Sequence, residues 1–174
     1  ALLKGAKHPM IMLGSGAQHA GAEVLALAER LNAPVTAFRG GRGIVPADHP
    51  LWVNSVEAYE LWGDTDVLIG IGSRCEMQAM RWRGMMDASD RITAGRKLIR
   101  IDIEPEEMLR LKPDVGVVCD SAIGTAAIAD GLAADGFASS ENRQRIADAR
   151  TRAAELINTI QPQVSYLDVI RRVL

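Results

Sequence analysis

The chain has 174 residues, with 48% hydrophobic side chains, 24% charged side chains and a formal net charge of −2. That balance excludes a disordered chain, and a pI near 5.9 with scattered Arg and Lys gives no electrostatic basis for nucleic-acid binding. No apolar run approaches the roughly 20 residues that span a bilayer, so the expectation is a soluble, cytoplasmic protein: one domain with an attached tail, not membrane-bound.

The first predicted element is the apolar run Pro9-Met10-Ile11-Met12-Leu13, a short strand covered on both faces that stops at Gly14-Ser15-Gly16. From Ala20 the period changes, and Val24, Leu27, Ala28 and Leu31 recur at helical spacing. A helix N-terminus beside a glycine turn suits a nucleotide phosphate. The strict dinucleotide fingerprint fails, however, because His19 stands where its third glycine belongs. The turn therefore reads either as a phosphate loop or as the sharp bend any βα unit needs.

Asn32-Ala33-Pro34 ends that helix and Val35 to Phe38 forms a second parallel strand. Arg39-Gly40-Gly41-Arg42-Gly43 then reads as a flexible loop at the strand's carboxyl end, where open α/β sheets bind ligands, or as a solvated loop. A helix around Val56 to Trp62 precedes the strand Asp66 to Gly72, followed by Ser73-Arg74-Cys75-Glu76. Arg74 beyond a strand ending Gly-x-Gly reaches either a phosphate in the crevice or a surface carboxylate. Met77, Met80, Trp82, Met85 and Met86 make the next segment adaptable core or interface.

Lys97 to Glu104 is a further strand with Asp102 at its carboxyl edge, suited to ribose hydroxyls or an adenine amino group, or else to capping the turn at Pro105. Glu104, Glu106 and Glu107 read as solvated helix-start residues. Val115 to Asp120 is the last strand, and Asp120 an N-cap for a helix from Ser121 to Leu132. After residue 138 the character shifts to an amphipathic helix with Ile146, Ala149, Ala153 and Leu156 on one face, and Val164 to Ile170 begins another element. Residues 1–137 are thus one domain, and 138–174 a helical linker with the start of a truncated second one. Cys75 and Cys119 read as buried thiols, and His8, His19 and His49 lack metal-ligand spacing. No nucleophile elbow or Gly-Lys-Ser/Thr phosphate loop is present, so binding is better supported than catalysis. The fold class expected is a three-layer, Rossmann-like α/β sandwich with about six parallel strands.

In this order the motifs resemble the central domain of thiamine-diphosphate-dependent enzymes of the acetolactate synthase, 2-keto acid decarboxylase and oxalyl-CoA decarboxylase type. The resemblance runs from about His8 to Gly136 through Pro9 to Ala17, Leu27 to Val35, Gly41-Arg42-Gly43-Ile44-Val45-Pro46-Ala47-Asp48-His49-Pro50-Leu51, Asp66 to Arg74, and Ile101 to Asp120. It implies a parent lyase or transferase that makes or breaks a C–C bond beside a 2-keto carbonyl, with thiamine diphosphate and magnesium held by pyrimidine-binding and diphosphate-binding domains. Tyr166 to Leu174 resembles the first helix of the latter. By itself this chain would be an inactive scaffold in a homo-oligomer, with no catalytic or metal-binding residue. By resemblance to members that hold FAD, ADP or CoA, a nucleotide would contact Gly14, Ser15, Gly16, Phe38, Arg39, Gly40, Gly72 and Arg74. Asp102, Ile103, Glu107, Asp120 and Ser121 would face ribose and adenine. Two departures, Trp52-Val53-Asn54-Ser55-Val56-Glu57 and Glu76-Met77-Gln78, argue against flavin and leave an adenine nucleotide open. The alternatives from other classes are a free-standing, sirtuin-like NAD enzyme, which the lack of zinc cysteines counts against, and a purely structural interaction module.

Overall fold

A computed structural model describes residues 1–76, 95–137 and 142–159, with 169, 170, 172 and 173 beyond them. The methionine-rich segment 77–86 and most of the tail after 160 lie outside the described residues.

The apolar run becomes β1 (Pro9–Leu13), buried at every position. It lies in the sheet's interior, between β2 (Val35–Ala37) and β3 (Val67–Ile71), with β4 (Lys97–Asp102) and β5 (Val115–Val118) completing the order β2-β1-β3-β4-β5. All the pairings are parallel. Among the described residues the sheet has five strands, where about six were expected, and one bridge, Val35 to Trp52, adjoins β2. There Val35 N donates to Leu51 O at 2.7 Å and Val53 N to Val35 O at 2.9 Å. The stretch cannot lengthen into a strand because Pro50 precedes it and Asn54 immediately caps α2 (Ser55–Trp62). Asn54 and Glu57 form a capping box there, so much of the segment that departs from the flavin pattern is engaged in this local structure.

Two helix pairs cover the sheet. α1 (Gly21–Leu31) ends on Asn32, which takes the left-handed conformation (φ 44°) that asparagine tolerates. Beyond β4 a short helix, α3 (Glu107–Arg110), leads into β5, and α4 (Ser121–Ala134) packs back on α1. Asp120 caps α4 as expected, accepting from Ala122 N and Ile123 N. α5 (Asn142–Asn158), expected as a linker, packs on α2 and buries Ile146, Ala149 and Ala153. Arginines fix it there. Arg145 lies 3.4 Å from Asp64, Arg150 donates to Trp52 O at 2.9 Å, and Arg152 pairs with Glu60 at 3.2 Å. Ile146→Ala should therefore lower stability by about 2–5 kcal/mol, a core-sized loss readable in urea denaturation. A solvated linker helix would show almost no change. No helix among the described residues is long and apolar enough to cross a membrane.

Candidate functional site

The site begins where β1 and β3 end, because their loops meet backbone to backbone. Gly14 N donates to Ile71 O and Gly16 N to Gly72 O, each at 3.1 Å. A Cβ on Gly14 would stand 2.1 Å from Gly72 O, and one on Gly72 would stand 2.4 Å from the Gly16 carbonyl carbon. Only glycine permits this approach, and Gly72 also sits at φ +51°. The turn does not hand over directly to a helix: a 3-10 turn, Ser15–Ala17, intervenes, and α1 starts at Gly21. Since Gly16 N–H serves Gly72 and Ala17 N–H serves Gly14, part of the expected phosphate cradle is spent inside the loop. The Arg39–Gly41 stretch is a 3-10 turn in which Gly41 is buried against Leu13 O, while Arg39, Gly40, Arg42 and Gly43 are exposed to solvent.

Around this contact lie adjoining clefts of about 440 Å³ and 280 Å³ that share Ser15, Gly16, Gly72 and Asp102. The larger falls in the size range of small-molecule sites. Its walls include Phe38, Arg39, Gly40, Arg74 and Glu107, while Ile103, Asp120 and Ser121 line the smaller. Every residue singled out from the sequence therefore lines one cleft or the other. Glu107, grouped above with Asp120 and Ser121, sits in the larger cleft instead. Arg39 stacks over Phe38 at 5.0 Å, and no carboxylate among the described residues pairs with it. Arg39 (φ 45°) and Cys75 (φ 52°) both hold left-handed backbone, a conformation that tends to cluster at ligand sites.

Glu107 is not a solvated helix-start residue. Its carboxylate takes Arg100 at 2.9 Å, Arg110 at 2.8 Å and Arg74 at 3.5 Å, and only 15% of its side chain is exposed. Arg100 was missed from the sequence, although an arginine inside Leu98-Ile99-Arg100-Ile101 was a visible signal. It is fully buried and also donates to Ser73 O at 2.9 Å and to Glu107 O, tying the β3 loop to the segment after β4. Hydrogen bonds from Arg110, then Arg100, hold the Glu107 carboxyl below its ordinary range, against the opposing effect of burial. A carboxyl depressed on folding stabilises the protein above its unfolded pKa and loses that contribution as pH falls through the folded value. Urea midpoints followed from about pH 5 to pH 2 should fall steeply, and Glu107→Gln should flatten that limb. An equally steep limb in the variant would exclude this source. Burial pushes the Cys75 thiol up, so it is a poor nucleophile.

At the smaller cleft, His19 Nε2 lies 2.8 Å from Asp120 Oδ2 and 3.5 Å from Ser121 Oγ. His19 too was passed over as a site residue. The trio is not a nucleophilic triad: the same ring nitrogen faces both partners, and Ser121 Oγ donates to Gly16 O at 2.8 Å. The hydrogen bond from His19, then those from Ile123 N and Ala122 N, lower the Asp120 pKa.

The residues present do not fit thiamine diphosphate. Gly63-Asp64-Thr65 lacks the paired asparagines of a diphosphate-binding motif, and no group of three His, Cys, Asp or Glu among the described residues could hold a metal ion.

Comparison with known proteins gives these features a family. The chain is 35% identical over 130 residues to glyoxylate carboligase of Escherichia coli O157:H7, covering 69% of this chain and 21% of that protein. It is 34% identical over 138 residues to a probable acetolactate synthase large subunit of Methanococcus aeolicus, covering 70% and 21%. It is 29% identical over 122 residues to 2-hydroxyacyl-CoA lyase of Oryza sativa subsp. japonica, covering 69% and 20%. The chain thus spans about a fifth of the length of the curated relatives it matches. Residues 1–128 match the family described as "Thiamine pyrophosphate enzyme, central domain", and the chain belongs to that family.

Proposed function

We propose that this chain is the non-catalytic central domain of a thiamine-diphosphate-dependent enzyme that makes or breaks a C–C bond in 2-keto acids or acyl-CoA-type substrates, and that its clefts hold an adenine nucleotide. The thiamine diphosphate and its metal would sit on pyrimidine-binding and diphosphate-binding domains elsewhere in the parent assembly. The names of the relatives support the reaction class, and the match to a central-domain family supports the division of labour. The observation that carries the nucleotide reading is the pair of clefts that share Ser15, Gly16, Gly72 and Asp102, with Arg39 and Arg74 in the wall of the larger.

In this reading Arg39 and Arg74 face the diphosphate across the Ser15 turn, Asp102 accepts from ribose hydroxyls, and the exposed Ile103 side chain lies against the base. Each group supplies orientation and charge, and none moves a proton. Calorimetric titration of the 174-residue chain with ADP, FAD and CoA is the test. ADP should bind, and Arg74→Ala and Asp102→Ala should each weaken it about tenfold, the loss expected for one charge-assisted contact. Heat that neither substitution alters would place the ligand elsewhere, and no heat with any of the three would leave a vacant scaffold.

A further inference from the structure

Where the cations of the two clefts stand bears on which nucleotide enters. The larger carries Arg39 and Arg74 among the carboxylates Glu76, Asp102, Glu104 and Glu107. The smaller is lined by Asp102 and Asp120, and among the described residues no lysine or arginine lines it. We infer that the smaller cleft selects a nucleotide whose ribose hydroxyls are free and excludes one that carries a phosphate on the ribose ring. The inference rests on the adenine-nucleotide reading above and adds the class of nucleotide to it.

The hydrogen-bond inventory supports the assignment. Asp102 Oδ1 accepts from Glu104 N at 3.1 Å, and Oδ2 has Arg100 no closer than 3.9 Å. Since Arg100 spends its shorter contacts on Glu107 and Ser73, Asp102 keeps acceptor capacity for a hydroxyl donor. Asp120 is more fully engaged: Oδ1 takes Ala122 N and Ile123 N, and Oδ2 takes His19. It contributes negative charge more than a free lone pair, and the bond from His19 favours its ionised form. The remaining groups in the wall, Ser15, Gln18 and Ser121, are uncharged. A ribose hydroxyl gains an acceptor here. A ribose phosphate would meet two carboxylates, with His19 beside Asp120 and the buried Arg100 3.9 Å from Asp102 as the offsetting groups among the described residues. An acidic residue that takes the ribose hydroxyls discriminates in the same sense in dinucleotide sites, where an arginine nearby accommodates the phosphate.

The test is a calorimetric comparison of ADP with 3′-phosphoadenosine 5′-diphosphate, which differ only at the ribose. ADP should bind more tightly by about tenfold or more, because like-charge juxtaposition is among the costlier mismatches in recognition. Asp102→Asn and Asp120→Asn each remove one charge, and asparagine at position 120 preserves the helix cap, so the fold is kept. Both variants should narrow the ratio several-fold, chiefly by improving the phosphorylated ligand. Equal affinities in the unsubstituted chain, or a ratio that neither variant moves, would overturn the selectivity while leaving the nucleotide site intact. Failure of both nucleotides to bind would overturn the nucleotide reading itself and this inference with it.

Discussion

Gly72→Ala is expected to destabilise the protein severely. The new Cβ would stand 2.4 Å from the Gly16 carbonyl carbon, 2.6 Å from its Cα and 2.7 Å from Ala17 N, all backbone atoms that cannot swing aside. Relieving the overlap means parting the β1 and β3 loops and losing the Gly16 N to Gly72 O bond, on top of the cost of φ +51°. A loss above about 4 kcal/mol follows, which is a large share of the roughly 5–15 kcal/mol that holds a domain together. Gly43 provides the control. Its φ is +89°, but a Cβ there meets nothing within 4 Å. Gly43→Ala should therefore cost only the strain of the backbone, about 1–2 kcal/mol. Urea denaturation of both variants separates collision from conformation. Similar losses in the two would mean that the loop contact is softer than its geometry indicates.

Glu107→Ala carries the second large effect. The Arg100 guanidinium is only 1% exposed, and Glu107 is its nearest acidic partner, at 2.9 Å. Removing one partner of a buried pair leaves an uncompensated charge and costs about 3–5 kcal/mol, whereas replacing both by apolar groups is often close to neutral. Arg100→Met with Glu107→Leu should accordingly recover much of the loss seen in Glu107→Ala. If the double variant is no better than the single, the cost belongs to the other contacts of Glu107, with Arg74 and Arg110.

These effects mark where the sequence was readable. The strand β1, the helix α1 with its Asn32 end, and the Asp120 cap follow local rules of period, handedness and hydrogen bonding, and they were legible. The placing of the candidate residues around one pair of clefts was legible too, because a parallel sheet brings the loops after its strands to one edge. What failed were matters decided by tertiary partners. Trp52 forms a single bridge because its neighbours Pro50 and Asn54 compete for the chain. Glu107 looked solvated because its partner Arg100 lies inside a strand and Arg74 lies beyond another. His19 looked like a flaw in a glycine motif, although it reaches Asp120, 101 positions away in the chain.

The central question is whether the paired clefts are where a ligand binds. Amide chemical-shift mapping of the isotope-labelled chain during titration with ADP asks this directly. Shifts should concentrate at Gly16, Gly72, Asp102, Ile103 and Ser121, while α5 and the Trp52 segment stay still. Shifts centred on those distant elements, or none at saturating ADP, would contradict a ligand site in the clefts.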